Sequence, residues 1–224
     1  MRVNEQAVKN ILKSVGNAKL VAATKYVGIE EINELEKLGV KYFGENRVQA
    51  FLEKYEKYHG AQEFHMIGTL QPNKVKYIID KVSLIHSIDS YSLIKEVEKQ
   101  AKKHDLKMPI LIQVNVAKEE SKHGFAVEEI EDVFDYLKEC PHLIVKGLMM
   151  MAPHIDSNDT AVYFKQTKEL FDQLNCKYSE FEMTELSMGM SNDYHEALKY
   201  GATMIRVGSC LLYTSPSPRD PKTS

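Results

Sequence analysis

Lys25 closes a short apolar run, Leu20-Val21-Ala22-Ala23-Thr24, and is the residue of this chain best placed for nucleophilic chemistry. On a buried strand successive side chains alternate between faces, so Val21, Ala23 and Lys25 share one face, and the first two are small enough to leave room beside an amine. An amine with an apolar stem in a walled site can lose its proton and attack carbonyls. The commoner fate of such a lysine is a solvated charge where a strand leaves its sheet. Two other segments have the residue types of anion cradles. In Ser187-Met188-Gly189-Met190-Ser191 a glycine flanked by hydroxyls precedes a helix whose free N–H groups point back at the loop, as in proteins that hold phosphate without a dedicated cation. Gly208-Ser209 offers a second set of backbone donors, and period 2 puts Arg206 on the face of Met204 and Gly208, an inward guanidinium. Taken singly, each segment reads as a turn and a helix cap.

The elements that must bring these groups together alternate along the chain. After a short helical pattern over 4–15, strands are expected at 19–25, 40–43, 64–68, 84–89, 109–116, 145–151, 185–188 and 204–208. Helical stripes separate them. Ile29, Ile32, Leu35 and Leu38 form one, closed by Gly39; Val48 to Tyr58, 73–80, Leu93 to Ala101, Val127 to Leu137, Phe164 to Leu174 and 195–200 form the others. Eight strands alternating with helices argue for parallel βαβ units, and eight is the number that closes a (β/α)8 TIM barrel. An open doubly wound sheet is the alternative, but no Gly-x-Gly-x-x-Gly follows any strand. No linker is evident before residue 210, so 1–210 is expected to be one α/β domain. From Tyr213 onward Ser, Thr and Pro replace the periodicity, and 211–224 is expected to be a disordered tail that supplies no helix after the eighth strand.

In such a barrel functional groups gather where strands end, and closure sets strand eight beside strand one. A lone amine and phosphate-type donors would then lie side by side, and a phosphorylated aldehyde would bridge them. Pyridoxal 5′-phosphate has both handles. The residues that carry this pattern also carry a resemblance. Val21-Ala22-Ala23-Thr24-Lys25, Phe43-Gly44-Glu45-Asn46-Arg47-Val48-Gln49, His65 through Lys74, Ile85 through Ser90, Gln113-Val114-Asn115-Val116, Gly147-Leu148-Met149, Leu186 to Ser191 and Met204 to Ser209 resemble, in order, the YggS/PROSC family of pyridoxal phosphate homeostasis proteins. The resemblance implies a single barrel similar to the N-terminal domain of alanine racemase, with the cofactor held on Lys25 as an aldimine. It implies phosphate contacts at Ser187, Ser191, Gly208 and Ser209, with Arg206 and Asn46 near the ring. Met188 is counted with the cofactor contacts as a wall for a flat ring, although methionine is first a core filler. His65 and His86 read as hydrogen-bonded structural groups and receive no role. The family continues after Ser209 with an aromatic-Gly segment; Leu212-Tyr213 and the Pro/Ser stretch depart from it, and 211–224 is expected to be non-native.

Two functions of different class are open. The first is a carrier that holds pyridoxal phosphate and takes part in its intracellular homeostasis without strong catalysis, because racemisation needs acid/base groups on both faces of the ring and Arg206 disfavours protonation of the ring nitrogen. The alternative is a pyridoxal-phosphate-dependent amino-acid racemase or related enzyme that recruits a tyrosine or histidine from its own loops. An aldolase-type barrel using Lys25 without a cofactor is a third reading. Composition bounds the partners: Lys+Arg 29 against Asp+Glu 32 gives a formal net charge of -3, without the basic footprint of a nucleic-acid binder. No apolar run approaches the ~20 residues that span a bilayer, and no signal peptide is read at the start, so a cytoplasmic protein is expected. Cys140, Cys176 and Cys210 suit reduced thiols, with no metal-ligand spacing. The expected partners are pyridoxal phosphate and cofactor-requiring apo-enzymes, with no nucleic acid and no membrane, and a monomer is preferred to a dimer.

Overall fold

The structure, a computed structural model, describes residues 2–120, 123–155 and 159–213. The chain opens with β1 (Arg2–Val3) and α1 (Glu5–Ser14), whose first turn is capped by the Asn4 side chain accepting from the Ala7 amide at 3.1 Å. The barrel strands follow: β2 (Lys19–Ala23), β3 (Tyr42–Glu45), β4 (Glu63–Met66), β5 (Leu84–Ile88), β6 (Met108–Asn115), then a two-residue β7 (Phe125–Ala126) and β8 (Leu143–Met149), β9 (Glu185–Ser187) and β10 (Met204–Val207). Between them run α2 (Ile29–Lys37), α3 (Val48–Lys57), α4 (Val75–Ile78), α5 (Tyr91–Lys103), α6 (Ile130–Leu137), α7 (Ala161–Lys177) and α8 (Tyr194–Lys199). Strand order is β5-β4-β3-β2-β10-β9-β8-β6, all parallel, and β5 pairs with β6 to close the ring. This is the (β/α)8 barrel expected from the alternation. No helix among the described residues is long and apolar enough to cross a membrane.

Local periodicity explains why these segments take these forms. Ile32 and Leu35 of α2 are buried, and Gly39 ends its stripe at φ +103°, which glycine adopts without a Cβ penalty. Along β2 the faces alternate: Leu20 and Ala22 pack outward against the helices, whereas Val21, with Ala23 beside it, points into a small inner cluster with Ile67, Leu84, Leu111, Met149 and Met204. Every residue of β5 and most of β6 are buried, as strands covered on both faces must be.

The inside of the barrel is not wholly apolar. At the end where the strands begin, Lys19 pairs with Glu185 at 3.2 Å. Further along, a chain of polar groups crosses the interior: Arg206 Nη1 donates to Ser187 Oγ at 2.5 Å, Ser187 Oγ lies 2.9 Å from His86 Nδ1, and His86 Nε2 lies 2.9 Å from His65 Nδ1. All four side chains are buried. Burial holds both imidazoles neutral: His65 is lowered to about 3, with Lys19 adding to the effect, and His86 lies well below 6.5, with His65 and the Arg206 cation adding to it. Ser187 accepts from Arg206, so its own proton is free to go to His86 Nδ1, which leaves His86 Nε2–H to donate to His65 Nδ1. The expectation of hydrogen-bonded histidines agrees with this geometry.

The boundary expected at residue 210 moves. Leu211 is buried, and β11 (Leu212–Tyr213) pairs antiparallel with β1, Val3 opposite Leu212 and Arg2 opposite Tyr213. Two bonded residues at each end were too short to show periodicity. The expectation of a disordered tail over 214–224 lies outside the described residues. Strand β2 also stops at Ala23, short of Lys25, and the helix expected over 73–80 is split into a 3-10 turn at Pro72–Lys74 and the short α4.

Two outcomes follow from this packing. A Cβ at Gly147 would lie 1.6 Å from the Glu185 carbonyl oxygen on the neighbouring strand, so Gly147→Ala should lower stability by about 3 kcal/mol, read as a fall in the urea midpoint at unchanged slope. The neutral histidines make the fold acid-sensitive. The unfolded chain binds a proton on each near pH 6.5, whereas the folded chain refuses one on His65 until about 3, so stability is full above the upper value and erodes as pH falls between the two. His65→Gln should flatten that decline by up to about 1.4 kcal/mol per pH unit, measured by urea unfolding across the window.

Candidate functional site

A cavity of about 630 Å³ opens at the end of the barrel where β2 and β10 finish. Its position follows from register: Val207 pairs with Ala22, which sets Gly208 next to Ala23 at the rim. A Cβ on Gly208 would lie 3.1 Å from both the Ala23 Cβ and its carbonyl oxygen, so the absence of a side chain lets the two strand ends come this close. Lys25 lines the cavity two residues past Ala23. It is exposed, its ammonium 5.0 Å from the centroid of the Tyr26 ring, because the chain has already turned out of the sheet. Tyr26 takes φ +67°, a left-handed conformation unusual for a bulky residue, and is 74% exposed. Lys25 thus stands at the rim of the cavity and not in an enclosed slot.

Arg206 enters from β10 with the inward orientation that alternation predicts, and its guanidinium is fixed by donating to Ser187 Oγ and to the Met150 carbonyl at 3.0 Å. Burial lowers it to about 10, opposed by the carboxylate of Asp193, so it remains a cation at neutral pH. Asn46, which follows β3, also lines the cavity. Here the chain is tightly stacked: a Cβ at Gly68 would lie against the Asn46 carbonyl oxygen, so the loop after β4 must pass without one.

Of the eight residues expected to hold a ligand, Lys25, Asn46, Ser191, Arg206, Gly208 and Ser209 share this cavity. Ser187 and Met188 do not line it. Ser187 is fully buried and bonded to Arg206 and His86, and Met188 is fully buried in the core between barrel and helices. The first cradle is also narrower than the sequence suggests. Helix α8 begins only at Tyr194, and within the loop the Met190 amide donates to Asp193 Oδ1 at 2.7 Å. Ser191 contributes otherwise: its hydroxyl accepts from the Gly208 amide at 3.4 Å, tying the two loops together. At the second cradle a 3-10 turn (Ser209–Leu211) starts at Gly208, and its leading amides at Ser209 and Cys210 are those that a helical turn leaves without an internal partner.

Further residues complete the cavity. Asp193, His154 and Tyr213 line it, and Met151, Pro153, Ile155, Met190 and Leu212 supply apolar surface. Five side chains around the mouth, Tyr26, Met151, Ile155, Met190 and Tyr213, are large, apolar and exposed. Cys140, Cys176 and Cys210 are free thiols.

The alanine racemase N-terminal domain family matches residues 1–216. A pyridoxal phosphate homeostasis protein of Aquifex aeolicus is 44% identical over 196 residues, covering 87% of this chain and 86% of the relative. PipY of Synechococcus elongatus, solved with pyridoxal phosphate bound, superposes with a TM-score of 0.84 at 28% identity, covering 92% of this chain and all of that one. An alanine racemase of Clostridium difficile shares the fold at a TM-score of 0.75 and 14% identity, this chain covering 62% of it. The chain belongs to the alanine racemase N-terminal domain family, and its relatives at 31–44% identity are pyridoxal phosphate homeostasis proteins.

Proposed function

We propose that this protein holds pyridoxal 5′-phosphate reversibly on Lys25 and serves its homeostasis in the cytoplasm, passing it to apo-enzymes as a monomeric carrier. The single observation that supports the reading is the convergence of a primary amine, a buried guanidinium and the Gly208-Ser209 turn on one cavity at the junction of β2 and β10. The residues fit the cofactor's chemistry. The amine suits an aldehyde, the Ser191 hydroxyl and the leading amides of the turn that starts at Gly208 suit a phosphate, and the apolar walls suit a flat ring. Pyridoxal phosphate supplies the aldehyde and an electron-drawing ring.

The residues present favour holding over turnover. Arg206 is donor only, so it can bond a neutral ring nitrogen set against it but cannot stabilise a proton added there. Ser187 and the Met150 carbonyl fix it in place. Lys25 is exposed at a mouth edged by apolar side chains, which suits exchange of the bound molecule with solvent or a partner. A second reading, a racemase-type activity, has one observation in its favour: His154, Tyr26 and Tyr213 line the same cavity and could supply an acid or base.

Borohydride reduction of the loaded protein followed by peptide mapping tests the anchor. The label is expected on the peptide containing Lys25, and Lys25→Ala should abolish both the label and the absorbance near the visible edge; a label on another lysine would sink the reading. Ser191→Ala should weaken pyridoxal phosphate by about fivefold while leaving unphosphorylated pyridoxal within about twofold, read by titration. Incubation with L-alanine in deuterated water separates carrier from enzyme, since α-proton exchange at enzymatic rates would favour the racemase.

A further inference from the structure

Behind the rim residue Lys25 lies a group of buried charges that the ligand contacts do not use. Glu45, at the end of β3, is 1% exposed, and its side chain turns away from the cavity. Lys54, one turn from the end of α3, reaches it at 2.9 Å with its own side chain only 14% exposed. The same Lys54 ammonium donates to the Thr24 carbonyl at 2.5 Å, and the Thr24 hydroxyl donates to Glu45 Oε1 at 2.5 Å. Thr24 is fully buried, and its amide donates to the Gly44 carbonyl at 3.0 Å. Thr24 is therefore bonded through its amide, carbonyl and hydroxyl, and its carbonyl belongs to the peptide unit that begins Lys25.

We infer that Glu45 and Lys54 are positioning residues: a buried ion pair that grips the Thr24–Lys25 peptide and so sets where the Lys25 amine meets an aldehyde. This rests on the proposed anchoring at Lys25. The physical need is plain in the local geometry. The last ladder bond is the Thr24 amide to Gly44, and Tyr26 already has left-handed φ, so beyond that bond the peptide that launches Lys25 is held at the Thr24 carbonyl, by the Val27 amide at 3.1 Å and by Lys54. A buried ion pair is costly unless its geometry is good and its remaining hydrogen-bonding positions are filled, and here both partners spend theirs on Thr24. In the step concerned, Lys25 Nζ forms a double bond to the aldehyde carbon, and the carbonyl oxygen leaves as water with the two amine hydrogens. Reaction of this kind depends on approach within a narrow geometry, and misplacement by about 1 Å can cost ~100-fold.

The test separates positioning from binding. Pyridoxine 5′-phosphate has an alcohol in place of the aldehyde, so it needs the cavity and its donors but not the amine's placement. Removing only Lys54 would strand a buried carboxylate, so the informative variant is the neutral pair Glu45→Gln/Lys54→Met, with Thr24→Val as a milder change of similar volume. In the folded double variant, formation of the borohydride-reducible linkage with pyridoxal phosphate should slow about tenfold while the affinity for pyridoxine phosphate stays within about twofold. Thr24→Val should show the same split at about threefold and carries the test if the double variant fails to fold. Linkage formation as fast as in the parent, or equal losses for both ligands, would overturn the inference. A parent protein that binds both ligands equally and forms no linkage at Lys25 would instead overturn the anchoring on which it rests.

Discussion

The pairing of Met204–Val207 with Lys19–Ala22 is the constraint on which the site depends. It is the junction of the first and the last barrel strands, and it alone sets Lys25 beside Arg206, Gly208 and Ser209. In an open sheet of the same strands these groups would stand at opposite edges. The register is demanding because both partners are buried on both faces, where a slip of one residue would turn Arg206 out into the helix layer and Ile205 in. Small residues at the rim permit it: Ala23 and Gly208 meet with no spare space between them.

The polar chain inside the barrel serves the same junction. A guanidinium taken out of water is tolerable only with donors engaged, and Arg206 finds the Ser187 hydroxyl on β9 and the Met150 carbonyl just past β8. The hydroxyl is in turn held by His86, and His86 by His65, so the orientation of one cation at the cavity floor is carried across β9, β5 and β4. Neutral imidazoles suit this task because they link donors to acceptors without adding a second charge beside the arginine.

Much of this was legible in the sequence because it is local. Apolar repeats of 2 and 3.6 residues mark strands and helices whatever lies around them, and alternation alone gives the inward faces of Ala23 and Arg206. Depth along the barrel is another matter. Ser187 and Ser191 are both serines at the end of one strand, yet one is sealed beneath Arg206 and the other faces the cavity, and only the partners contributed by β5 and β10 decide which. The role of Asp193 was hidden for a similar reason, since its carboxylate satisfies an amide of the very loop that was read as a cradle. Lys54 looks in sequence like one more solvated charge on a helix, and becomes notable only where α3 packs over Glu45.

The short ribbon of β1 and β11 carries a consequence of its own. Leu212 and Tyr213 form part of the cavity wall, and what holds them is the strand at residues 2–3, with the Asn4 amide bonded to the Leu211 carbonyl and the Arg2 guanidinium over the Tyr213 ring. Contacts between segments so far apart in the chain bring the greatest loop-closure penalty and the least help from local structure. During synthesis the pocket therefore cannot be walled until the barrel strands have been made and Leu212-Tyr213 has followed them, and residues 2–3 must stay unpaired until that ribbon forms.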